Sequence, residues 1–91
     1  MVQYLLDVSE CENNRELHQA LKDGLGLPYF YGMNPDALWD CLTGMIEMPA
    51  TITLRGVSRA KKDIQDELQL VLRVIERASS MYGEIILFIE D

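Results

Sequence analysis

Asp36 and Asp40 are the residues in this 91-residue chain best placed to do chemistry. Helical spacing puts two carboxylates four positions apart on one face, with Thr43 beside them and Trp39 on the border. Such a pair can work as general acid and base, hold a divalent cation, or present negative charge to a basic partner. Acid–base catalysis needs a cleft flanked by both groups, and neighbouring positions on one exposed helix face enclose nothing. Cation binding would have two ligands and a distant glutamate, which is thin coordination. Presentation of charge fits the surroundings: Phe30, Trp39 and Thr43 can bury area at low entropic cost around the aspartates. A hot spot aimed at a basic groove has this composition.

The other reactive side chains are read as structural. Cys41 falls with Leu38, Leu42 and Met45 on the apolar side of the same helix, which predicts a buried, inert thiol. Cys11 and Cys41 are the only cysteines, and reduced thiols of a cytosolic protein are expected. His18, the single histidine, sits beside an apolar helical stripe rather than within it. No cysteine or second histidine is spaced to join it in a metal site, so a structural or surface role is expected. The sequence has no glycine-rich phosphate loop, GxSxG, CxxC or HExxH. No cofactor, no metal and no enzymatic activity are therefore expected; a small hydrolase built on Asp36 and Asp40 is the weaker alternative.

The stretch LPYFYGMNPDALWDCLTGMIEMP, residues 27–49, holds these groups. Asn34-Pro35 is its helix start: Asn caps first-turn amides, and Pro at the first helical position forfeits no hydrogen bond. Upstream, Val2 to Val8 reads as a strand with Val2, Tyr4, Leu6 and Val8 on one face and Leu5 on the other. Asn13 and Glu16 form a capping-box start for a helix striped by Leu17, Ala20, Leu21 and Leu25, ended by Gly24 and Gly26. Downstream, Ala50 to Leu54 is a short strand, and residues 55–63 a basic turn and loop whose Arg59, Lys61 and Lys62 lack interleaved aromatics and read as a solvated face. The Met48-Pro49 bond could hold a cis peptide, although most X–Pro bonds are trans and the sequence does not decide between them.

Ile64 to Tyr82 is the longest helical pattern, with Ile64, Leu68, Val71, Ile75, Ala78 and Tyr82 in one stripe and Leu72 widening it. A second line, Leu70, Val74 and Met81, lies near Arg73 and Arg77, and is either deeper burial or an exposed ridge for a partner or a second copy. Gly83 stops the helix, and the apolar run Ile85 to Ile89 predicts a last strand covered on both faces. Helices between successive strands imply right-handed crossovers and a small parallel sheet in one domain spanning residues 1–91.

The net charge of −7 is unevenly spread: residues 1–49 carry eight acidic and two basic side chains, residues 50–91 seven and six. That disfavours nucleic acid and anionic membranes and favours a basic protein partner, although a charge of this size also serves solubility. No apolar run is long enough to cross a bilayer, and the opening MVQYLLDVSE lacks the basic start of a secretory leader.

LHQALKDGLGLP (residues 17–28), FYGMNPDALWDCLTG (30–44), EMP (47–49) and, more loosely, VLRVIERA (71–78) closely resemble the barstar family, intracellular inhibitors of barnase-type ribonucleases. The resemblance runs end to end. It implies a three-stranded parallel sheet packed by helices, a cytoplasmic location, and an antitoxin that is monomeric when free and plugs the substrate groove of a basic, extracellular-type ribonuclease one-to-one. An immunity domain directed at a different toxin is the alternative. On the family pattern, Asp40 is expected to enter the enzyme's phosphate-binding site, with Asp36 as supporting carboxylate. Trp39, Thr43 and Gly44 match its contact helix, Phe30 and Asn34 its contact loop, and Val74 its later apolar contact. Three positions depart at the edge. Met45 replaces a tryptophan, Arg77 stands where an acid is expected, and Met81 replaces another acid. Phe30 stands in place of a tyrosine, keeping the ring without the hydroxyl. Opposite an unchanged basic enzyme, Arg77 would repel.

Overall fold

The computed structural model describes residues 2–91. The chain runs β1 (Val2–Asp7), α1 (Asn14–Leu25), α2 (Pro35–Gly44), β2 (Ala50–Arg55), two short 3-10 turns (Val57–Arg59 and Lys62–Ile64), α3 (Gln65–Tyr82) and β3 (Ile85–Glu90). The fold is α/β: one three-stranded parallel sheet, ordered β1-β2-β3, with three α-helices.

Local chemistry explains most boundaries. Asn13 Oδ1 accepts from Glu16 N at 2.9 Å and starts α1, while Glu16 reaches back to the Glu12 amide at 2.8 Å. Gly26, at φ +64°, closes α1 in the left-handed conformation that costs glycine nothing. Asn34 Oδ1 accepts from Ala37 N at 2.8 Å and Pro35 fills the first turn of α2. Replacing such a cap by alanine typically costs about 0.5–2 kcal/mol.

The core lies on one side of the sheet only. Leu6, Ala50, Ile52, Leu54 and Ile85 are buried there against Leu17, Leu21, Leu38, Leu42, Leu68, Val71 and Ile75 of the helices. The expectation that both faces are covered fails. On the opposite face the register aligns Leu5, Thr53 and Phe88 in one row, and Leu5 and Phe88 are each 55% exposed. The topology supplies the reason. Strand order advances steadily from β1 to β3, and right-handed crossovers that advance in one direction place their helices on the same face. The apolar run of β3 therefore reports one buried face and one open one.

Other expectations are corrected in detail. Met45 does not share the buried side of α2: the helix ends at Gly44, Met45 takes φ −128° and ψ −22°, and its side chain is exposed. Tyr82, placed in the buried stripe of α3 by its spacing, is also exposed, because Gly83 turns the chain there toward β3. The Met48-Pro49 peptide bond is cis. Cys11 and Cys41 are both free and buried. No helix among the described residues is long and apolar enough to cross a membrane.

Candidate functional site

The residues singled out in sequence lie along α2, the loop before it, and the facing side of α3. Leu38, Cys41 and Leu42 anchor α2 in the core, which leaves Asp36 and Asp40 exposed on its outer side. Leu38 is fully buried, and truncating such a residue to alanine costs roughly 2–5 kcal/mol, so the helix's rotation is firmly set. Thr43 Oγ1 donates to the Trp39 carbonyl at 2.8 Å, which ties that side chain to the helix one turn below. Gly44 closes the helix, and Met45 stands exposed just beyond it.

Trp39 is half-buried between α2 and α3. The Arg77 guanidinium lies over its ring, 5.2 Å from the ring centroid. Pro35, Asp36 and Trp39 of α2 face Leu70, Arg73, Val74 and Arg77 of α3 across a groove of about 330 Å3. The second apolar line of α3 is thus a surface feature: Leu70 and Val74 form the groove wall, and Met81 is exposed further along. Arg77, although exposed, lies against Trp39 and forms one rim of this groove with Arg73. The outer face of α2 is anionic and the α3 rim is cationic.

The loop preceding α2 is held by a buried polar network that the sequence did not disclose. Tyr31 is buried, whereas Tyr29 and Phe30 are exposed and meet each other edge-on at 5.4 Å. His18 is 1% exposed, not at the surface, and both its ring nitrogens are engaged at 2.7 Å, Nε2 with Glu67 Oε2 and Nδ1 with the Tyr31 hydroxyl. A carboxylate only accepts, so Nε2–H donates to Glu67. In the neutral ring Nδ1 then accepts from the Tyr31 hydroxyl. That hydroxyl also lies 3.4 Å from the Asn34 carbonyl, next to the α2 cap. Burial, then the neighbouring Cys41 and Glu67, pushes the Tyr31 phenol well above its ordinary range. One network thus joins α1, α3 and the loop carrying Phe30 and Asn34. Position 18 falls three before Leu21 and seven before Leu25, a helical spacing that carried the signal for a buried histidine. Nothing local marked Tyr31 or Glu67, whereas the groove residue Leu70 already stood in the second apolar line of α3, beside Arg73.

Met33 adopts φ +56°, unusual for a side chain of this size, and re-aims the chain between Tyr31 and the cap. The cap itself is doubly fixed, since Asn34 Nδ2 donates to the Gly32 carbonyl at 3.0 Å while its Oδ1 holds the Ala37 amide.

The thiols stay out of this chemistry. Burial raises the pKa of Cys41, with the Asp40 carboxylate adding to it, and burial together with Glu16 and Asp7 raises that of Cys11. No group of three His, Cys, Asp or Glu side chains among the described residues is arranged to hold a metal ion.

Two comparisons with known proteins bear on the chain as a whole. A family model described as Barstar (barnase inhibitor) matches residues 1–87. A protein of Bacillus subtilis (strain 168) named "Putative ribonuclease inhibitor YrdF" is 40% identical over 78 residues, 86% of this chain and 86% of that one.

Proposed function

The chain belongs to the barstar family, and from that premise we propose that it is a non-enzymatic inhibitor of a basic, barnase-type ribonuclease. It acts one-to-one by seating the outer face of α2 in the enzyme's substrate groove. The observation that carries this reading is the exposure of Asp36 and Asp40 on a helix locked in place by Leu38, Leu42 and the Asn34 cap. Fixed carboxylates substitute for substrate phosphates without an ordering cost at the moment of binding. Asp40 is the central contact and Asp36 supports it. Trp39, Thr43 and Gly44 flank them, Phe30 and Asn34 contribute from the loop, and Met45, Val74 and Arg77 form the margin. As inhibitor of a ribonuclease made for export, the protein would act in the cytoplasm and be monomeric until it meets the enzyme.

Asp36 and Asp40 are both exposed and only Asp36 lines the groove, so no cleft is flanked by the pair, which supports charge presentation over acid–base catalysis. The cationic rim made by Arg73 and Arg77 favours a second reading within the same fold, an immunity protein for a toxin whose facing surface is less basic.

The test is titration of a barnase-type ribonuclease with the purified chain, with RNA cleavage as readout. Loss of activity saturating near one equivalent is expected, and Asp40→Ala should abolish it. Substrate turnover by this chain alone, removed by the same substitution, would overturn the proposal.

A further inference from the structure

The outer edge of β3 is an exposed apolar feature that the α2–α3 surface does not use. Among the described residues β3 pairs only with β2. The amides of a strand alternate between its two sides, and the Glu84 and Glu90 carbonyls accept from Ala50 N at 2.8 Å and Gly56 N at 2.9 Å. Residues of that parity face β2, so Ile85, Leu87 and Ile89 direct their amides and carbonyls outward. Ser79 Oγ donates to the Ile85 carbonyl, which leaves the main-chain groups of Leu87 and Ile89 as the open stretch of the edge.

Side chains around this stretch are apolar and exposed. Ile86 is 42% exposed, Phe88 55% and Ile89 51%. Edge strands are usually blunted by lysine, proline or a bulge, and Ile85 to Ile89 has none of these. A groove of about 490 Å3 runs alongside, formed by Ile85, Leu87 and Ile89 with Glu76, Ser79 and Ser80 of α3. A strand added here would place alternate side chains in that groove and the others on the open sheet face beside Phe88.

Charge selects the occupant. Glu84 stands at one end of the apolar stretch, Asp91 and Glu90 at the other, Glu90 paired at 3.2 Å with Arg55 of β2, and Glu76 stands in the groove wall. Two copies paired antiparallel with fullest overlap, about Leu87, would set Glu84 opposite Glu90 twice, in a pair of chains each carrying −7. Like charges directly opposite destabilise a strand pair. A segment with cations at its ends meets the opposite situation.

We infer that the β3 edge is a docking site for an extended segment of a partner protein, apolar at alternate positions and bearing Lys or Arg at both ends, which joins the sheet as a fourth strand. The site lies apart from the α2–α3 surface and does not depend on the inhibitor reading.

The probes are the peptide Lys-Val-Thr-Val-Thr-Val-Lys, the same peptide with Glu at both ends, and a third copy N-methylated at alternate residues. Each is titrated into the intact chain while amide resonances and hydrogen exchange are followed. The Lys-ended peptide should slow exchange at Leu87 and Ile89 by about tenfold or more at saturation, leaving the Trp39 and Asp40 amides unchanged. The Glu-ended peptide should bind at least about tenfold more weakly at low salt, and N-methylation should abolish binding. Leu87→Pro, which removes an outward amide without touching the β2 ladder, should abolish it too while the Trp39 and Asp40 amide resonances stay in place. The inference is overturned by any of three results: no saturable binding of the Lys-ended peptide up to about 1 mM, equal binding of the N-methylated peptide, or sedimentation showing a dimer whose Leu87 and Ile89 amides are protected without peptide. The peptide arms decide the matter even if the proline variant does not fold.

Discussion

Replacing Arg77 tests how the α3 rim takes part in binding, and its contact with Trp39 sets the size of the effect on stability. Arg77→Gln keeps much of the side-chain stem but removes the guanidinium that lies 5.2 Å from the Trp39 ring centroid. A cation–π contact at an exposed site contributes about 0.5–1 kcal/mol, and Arg77 is exposed. In a domain of this size that corresponds to a Tm lower by roughly 2–8 °C. A double-mutant cycle with Trp39→Leu should return a coupling energy of the same order. Binding responds to the sign of the charge. Two unit charges about 6 Å apart interact by roughly 0.7 kcal/mol in bulk water and more where the interface excludes it. Arg77→Glu reverses the charge, so affinity for a generic basic ribonuclease should rise by about 1–2 kcal/mol, roughly 5–30-fold, largely through the association rate. Toward a cognate enzyme with acidic residues opposite the rim, the same substitution should weaken binding. Both effects should shrink as salt rises from about 0.01 M to about 1 M, where the screening length falls from roughly 30 to 3 Å. Stopped-flow association and calorimetry at two salt concentrations measure this. Weaker binding of Arg77→Glu to the basic enzyme, or a shift that survives high salt, refutes the charge reasoning. An unchanged Tm for Arg77→Gln refutes the contact energy.

The aspartates, the buried Tyr31–His18 contact and the two thiols can be tested in the same way. Asp40→Ala should lose at least about 2 kcal/mol of binding, as a central contact does, with stability unchanged within about 0.5 kcal/mol. Asp36→Ala should lose less binding but about 0.3–1 kcal/mol of stability, because Asp36 sits in the first turn of α2 where a negative charge offsets the helix dipole; denaturant melts and calorimetry on both variants separate the two. Tyr31→Phe leaves the buried His18 Nδ1 without its 2.7 Å partner and should cost about 1–3 kcal/mol in urea melts. Tyr31 also gives a pH dependence: its phenol ionises near 10.0 when unfolded and well above that when folded, so its contribution is complete below pH 10 and is lost as pH rises further; Tyr31→Phe should lack that alkaline decline. Cys11 and Cys41, held above their ordinary value of 9.0 mainly by burial, should react with iodoacetamide far more slowly in the native protein than in denaturant, as mass spectrometry will show; fast native labelling of Cys41 would contradict its placement.

What the sequence determined by itself is whatever a few neighbouring residues dictate. Asn34-Pro35 starts α2 because a side-chain oxygen and a missing amide act within one turn, and the structure starts the helix there. The stripe Ile64, Leu68, Val71, Ile75 and Ala78 recurs at the helical period and is buried throughout, and Asp36 and Asp40 are exposed because Leu38 and Leu42 must face the core. The parallel sheet followed from helices between strands. Three features waited for the tertiary structure. The open face of the sheet arises from the direction in which successive crossovers advance, which an apolar run such as Ile85 to Ile89 does not encode. The burial of Tyr31 depends on His18, thirteen residues before it, and that of His18 on Glu67, forty-nine residues beyond. Arg77 reaches Trp39 only because α2 and α3 pack side by side. Local periodicity states which face of an element is apolar; which polar groups then meet across two elements is decided by how those faces are brought together.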